Sequence, residues 1–90
     1  MTALPFEFDI LESQVDGVPA EVQPAFQYGL ALLLVELDRL TDVSVAGADV
    51  ARFRTPEGSE FELPNPHLSP AQTSMTVEHL RWLLVGRGLI

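Results

Sequence analysis

The sequence predicts an α+β fold: a small antiparallel sheet containing a β-hairpin, packed against two main α-helices. Three observations carry this prediction. Two short arms of alternating charged and apolar residues, Arg52-Phe53-Arg54 and Glu60-Phe61-Glu62, flank a turn signature. A long apolar segment of helical period runs up to Leu40. A second helical segment opens on Ser69-Pro70-Ala71-Gln72, a capping sequence. Residues 1–90 read as a single domain.

The hairpin register follows from its turn. Thr55-Pro56-Glu57-Gly58 suits a type I turn, with proline presetting φ and glycine supplying the left-handed residue of a three-residue loop with a bulge. Counting outward, Thr55 faces Ser59, Arg54 faces Glu60, Phe53 faces Phe61 and Arg52 faces Glu62. A two-residue loop at Glu57-Gly58 would set Arg54 against Phe61 and mix the two faces, so it is rejected. In the accepted register Phe53, Phe61 and Leu63 share one face. The opposite face carries two cross-strand pairs of opposite charge, which neutralise each other in solvent.

From the N-terminus onward, Leu4-Pro5-Phe6-Glu7-Phe8-Asp9-Ile10 alternates as a strand does, with Leu4, Phe6, Phe8 and Ile10 on one side. The alternative is a short helix over residues 5–16 opened by Pro5. Asp16-Gly17 marks a turn. The segment from Pro19 or Pro24 to Leu40 reads as a helix with Val22, Phe26, Leu30, Leu33, Leu37 and Leu40 on one stripe, and Asp42 is its expected stop. Ala31, Leu32 and Val35 lie off that stripe, so from Tyr28 to Val35 the helix has no polar side. Such a helix must be sandwiched between the sheet and the second helix, or be covered by a second copy of the protein.

Val43-Ser44-Val45 reads as a short strand, and Ala46-Gly47-Ala48-Asp49 as a turn. Pro64 and Pro66 end the hairpin, because proline donates no ladder hydrogen bond. The last helix runs from the Ser69 cap through Met75, Val77, Leu80, Trp82, Leu83 and Leu84 to Gly86 and Gly88. Met75 and Trp82 are expected in the core. The apolar end, Leu89-Ile90, is expected to pack.

Composition narrows the functional classes. With 90 residues the core is modest and oligomerisation would help it, yet 47% of residues are hydrophobic, well above a disordered composition. Cysteine is absent, which excludes disulfides and cysteine zinc sites and favours a cytoplasmic setting. No signal peptide is evident at the N-terminus, and the longest apolar run, Tyr28 to Val35, is too short for a membrane span. The formal charge is −8, and residues 1–38 hold seven acids without one base. That opposes direct nucleic-acid and membrane binding and favours solubility or a basic partner. Without lysine there is no Schiff base and no phosphate-binding lysine.

The candidates for chemistry are few. His67 lies in a loop between prolines and His79 on the last helix; their spacing matches no metal motif. Asp9, Glu12 and Asp16 would share a face only on a helix, and the calcium-loop pattern is missing. There is no nucleophile elbow, and Gly86-Arg87-Gly88 ends a helix where a dinucleotide fingerprint would open one. No catalytic, cofactor or metal residue is assigned, and the chain is not expected to be an enzyme. The reading is a small acidic protein–protein interaction module, in the setting of an adaptor, an immunity or antitoxin-like protein, or a regulatory subunit. It is expected to form a homodimer through Leu32 and Val35, and to meet a basic partner through Glu7, Asp9, Glu12 and Asp16. The alternatives are an acidic mimic of nucleic acid that occupies a basic protein, and a small acid–base enzyme using a carboxylate with His67 or His79.

Overall fold

The computed structural model describes residues 19–89. The expected strand at residues 4–10, its helical alternative, and Glu7, Asp9, Glu12 and Asp16 lie outside the described residues, as does Ile90. A 3-10 turn, Ala20–Val22, leads into helix α1, Gln23–Glu36. Strands β1, Thr41–Asp42, β2, Val50–Arg54, and β3, Glu60–Pro64, form an antiparallel sheet in that order. Helix α2, Pro70–Gly86, follows. This is the small α+β fold with a β-hairpin that the sequence predicts.

Both early prolines are used. Pro19 caps the 3-10 turn, and Pro24 stands in the first turn of α1, where its missing N–H leaves no helical bond unmade. The helix stops at Glu36, four residues short of the expected end. Asp38 adopts a left-handed conformation, φ 61°, and the two bonds of a Schellman cap close around it: Asp38 N–H to Val35 C=O at 3.1 Å and Arg39 N–H to Leu34 C=O at 2.9 Å. The reversal still delivers Leu40 to the core, from the linker instead of the helix, while Val22 and Leu37 end on the surface. Asp42, expected as the stop, belongs to β1.

The strand expected at Val43–Val45 is displaced. β1 pairs Thr41 with Arg54 and Asp42 with Phe53. Val43 N–H still reaches Arg52 C=O at 2.9 Å, and then the Ser44 hydroxyl replaces the main chain, accepting from Arg52 N–H at 2.9 Å. A side chain that takes the next ladder bond ends the pairing. The hairpin register is the one derived above: Ala51 with Leu63, Arg52 with Glu62, Phe53 with Phe61, Arg54 with Glu60. Gly58 takes φ 93° and donates to Thr55 C=O at 2.9 Å, and Thr55 N–H donates to Ser59 C=O at 2.8 Å. Ala51, Phe53, Phe61 and Leu63 are buried, and the Phe53 and Phe61 rings lie 5.8 Å apart.

The Ser69 capping box of α2 forms as predicted. Ser69 Oγ accepts from Gln72 N–H at 3.1 Å, and Gln72 Oε1 accepts from Ser69 N–H at 3.0 Å. A second Schellman cap ends the helix, with Gly88 at φ 71°. Leu89 folds back against the core.

α1 packs against β1 and β3 on one side and against α2 on the other. That placement is the sandwich a helix without a polar side requires: Leu30, Ala31, Leu33 and Leu34 are all buried. α2 contributes Val77, Leu80 and Leu84 to the same core. Met75 and Trp82, expected inside, are instead 72% and 76% exposed. The spacing of Val77, Leu80 and Leu84 fills the inward face of α2, and Met75 and Trp82 lie on the other side of the helix.

Candidate functional site

Leu32 and Val35 project from the flank of α1 that faces neither the sheet nor the centre of α2. Each is half-buried and packs against the edge of the core. Together with Leu68, Pro70, Ser74 and Val77 they line an open groove of about 510 Å³ between the two helices. Glu36 and Glu78 stand at its rim. Arg81 ties the two helices together there, pairing with Glu36 of α1 and, at 2.6 Å, with Glu78 one turn back on α2. Two carboxylates share one guanidinium, so the rim keeps one net negative charge.

Beyond Glu78 the outward face of α2 carries Met75, Trp82 and Val85, the last 55% exposed. Trp82, Val85, Glu78 and Arg81 line a second open concavity, which shares Glu78 with the groove. Leu32 and Val35 therefore belong to one continuous surface that crosses the rim ion pairs onto an apolar helix face. Sequence reasoning placed Met75 and Trp82 inside because α2 carries apolar residues on two sides. The signal that separates those sides is Glu78: a carboxylate one turn before Trp82 marks the outward face, since an unpaired charge is not buried in a core.

The remaining candidates are dispersed. Arg52 donates to Glu62 at 2.8 Å and Arg54 to Glu60 at 2.7 Å, all on the solvent face of the sheet. The hydrogen bond and charge of Glu62 hold the Arg52 guanidinium above even its ordinary high pKa. His67 sits at φ 52° in the loop after β3, with Nε2 3.2 Å from an exposed Asp49 carboxylate oxygen. His79 is exposed on α2. Among the described residues no cluster of three or more His, Cys, Asp or Glu side chains could hold a metal, and no polar or charged side chain is buried. Nor is any helix among them long and apolar enough to cross a membrane. The Tyr28 hydroxyl, at the edge of the core, has its pKa pushed up by burial, seconded by Asp42.

Comparison of the chain with family models, with curated proteins and with solved structures gives no match. The surface must be read from its own chemistry. It is broad, open and apolar at its centre, with ion-paired charges at its rim, and it encloses no cavity of the kind that buries a small molecule.

Proposed function

We propose that this chain is a small acidic protein–protein interaction module that works as a homodimer, in the setting of a cytoplasmic adaptor, an immunity or antitoxin-like protein, or a regulatory subunit. The observation that carries the reading is the partly buried pair Leu32 and Val35, lining an open groove beside the exposed apolar face of α2. Contiguous apolar surface of this kind marks an interaction site in a soluble protein. Sedimentation equilibrium across a wide concentration range tests it. The expected species is a dimer that Leu32→Glu or Val35→Glu dissociates, with monomer melting curves reporting that each variant still folds. A compact monomer at every concentration would leave the homodimer reading without support.

The charge distribution favours a second binding event. Residues 1–38 hold seven carboxylates and no base, while the Arg52 and Arg54 side chains are matched by glutamates on the sheet. A concentration of acid of this kind steers a basic surface toward the chain and loses its reach as salt rises. In this reading Glu7, Asp9, Glu12 and Asp16 meet an Arg/Lys-rich protein; the alternative is an acidic mimic of nucleic acid that occupies the groove of a basic protein. Reversing Glu7, Asp9 and Glu12 to lysine should slow capture of such a partner at low salt. An association rate indifferent to both the reversal and the salt would remove this second reading.

A further inference from the structure

The most exposed apolar surface of the described residues lies on α2, not α1. Ala71, Met75, Glu78, Trp82 and Val85 recur at intervals of four and three along the helix. This is the a/d spacing by which one helix seats against another. The stripe lies opposite Val77, Leu80 and Leu84, which already serve the core. Neither propensity nor solubility calls for Trp82 at 76% exposure or Met75 at 72% on the outside of a helix.

We infer that two copies of the chain pair through this stripe, α2 against α2, in antiparallel orientation and crossing near Leu80. The inference rests on the self-association reading and moves its centre from Leu32 and Val35 to Trp82. Three features select a second copy as the occupant. First, the single charge on the stripe brings its own counterion, since Arg81 holds Glu78 at 2.6 Å. A stripe whose one charge is already paired on its own helix asks for an apolar complement. Second, the positions flanking the stripe are Gln72, Ser74, His79, Arg81 and Gly86, among which only Arg81 carries a fixed charge. A helix evolved to capture a basic partner would be expected to carry acids there. Third, the exposed apolar area is gathered on one face: Trp82, Met75 and Val85, at 76%, 72% and 55% exposure, stand in one stripe and offer a contact at the small end of specific interfaces.

The orientation follows from Glu78. Parallel helices in register would set Glu78 against Glu78 in the middle of the contact, a like-charge pair taken out of water. An antiparallel crossing near Leu80 sets Glu78 against the second copy's Trp82 and Met75 against the second copy's Val85. It separates the two Glu78 residues by about 6 Å along the axis, on top of an interaxial distance of about 8–10 Å. Such a contact is isologous and closes on itself, so it gives a dimer and not a filament.

The chain contains one tryptophan and no cysteine, which makes the test direct. Trp82 emission should shift to the blue with rising concentration, in step with the mass seen by sedimentation. Trp82→Glu should weaken self-association about thirtyfold or more, as loss of an aromatic anchor does, and leave the melting of the monomer unchanged. Added salt should tighten the dimer, because each copy carries −8 and the contact itself is apolar. In an equal mixture, Met75→Cys chains should cross-link to Val85→Cys chains, while either variant alone should not cross-link. Homodisulfides in both single variants would overturn the antiparallel orientation. A dimer that survives Trp82→Glu but is dissociated by Leu32→Glu overturns this inference and leaves the self-association reading standing. A monomer throughout removes both. Blue-shifted emission in that monomer at every concentration shows that the chain's own residues cover Trp82. A dimer that loosens as salt rises is held by charge, and the stripe is not its centre.

Discussion

The backbone of Gly29 on α1 approaches Thr76 on α2 so closely that a Cβ at Gly29 would stand 2.6 Å from Thr76 Cγ2 and 3.1 Å from a Leu80 methyl carbon. Glycine at this point is what lets the two helices meet. Thr76 cannot easily turn aside, because its hydroxyl donates to Gln72 C=O at 2.8 Å. Gly29→Ala gains about 1 kcal/mol in helix propensity and loses about 1–3 kcal/mol to overpacking. The expected result in urea denaturation is a net loss of about 1 kcal/mol. Thr76→Ser removes the clashing methyl, so the double variant should recover most of the loss. A single Gly29→Ala more stable than the parent would show that the helices do not approach this closely.

The two faces of the hairpin should respond in opposite ways. Phe53 is fully buried and stacks on Phe61, so Phe53→Ala should destabilise by about 3 kcal/mol or more. Arg54 and Glu60 are bonded but solvated, and Arg54→Ala should lose under about 1 kcal/mol. Chemical denaturation of the two variants side by side checks the contrast. A greater loss from the arginine would mean that the faces are reversed.

The two Schellman caps differ in one respect: Gly88 holds the left-handed position after α2, and Asp38 holds it after α1. A side chain there crowds the following carbonyl, which glycine avoids. Asp38→Gly should therefore raise stability by roughly 0.5–1 kcal/mol, and should shift the thermal midpoint upward. The same change at His67, φ 52°, offers a second measurement of the same effect.

Tyr28 sets the alkaline limit. Burial and then the charge of Asp42 raise its pKa above the usual 10.0. Above its unfolded value the tyrosine gives up its proton more readily in the unfolded chain than in the folded one, which favours unfolding. The sign is that of a raised pKa: stability is fully present below about pH 10 and is lost as pH rises through the folded value. There is one tyrosine and no lysine or cysteine, so few other groups titrate there. Tyr28→Phe should flatten the fall in stability above pH 10, and ultraviolet titration of the parent should give a tyrosine pKa above that of the unfolded chain. A parent tyrosine that ionises at or below the unfolded value would sink this account.

Much of the local structure is legible in the residues themselves. The turn Thr55-Pro56-Glu57-Gly58 and the alternation on either side leave one register that keeps phenylalanine with phenylalanine. Ser69, Pro70 and Gln72 specify their own helix start. Each of these is decided within a few residues, by backbone sterics and short hydrogen bonds, and needs nothing distant. The end of α1 is less legible, because Asp38 carries a conformation that glycine would announce. The break after Val43 is hidden as well, since a serine hydroxyl standing in for a ladder amide looks like any serine.

The sequence by itself determined the fold class, the hairpin register, the cap of α2 and the excess of apolar surface on the two helices. Only the tertiary structure decided where that excess goes. α2 offers two apolar stripes, one through Val77, Leu80 and Leu84 and one through Met75, Trp82 and Val85, and hydrophobic content does not choose between them. The choice falls to fit. The close approach at Gly29 admits Thr76 and Leu80 and fixes the rotation of α2 about its own axis. Once that rotation is set, Trp82 must face outward, because burial is a property of how surfaces meet and not of how apolar any one residue is.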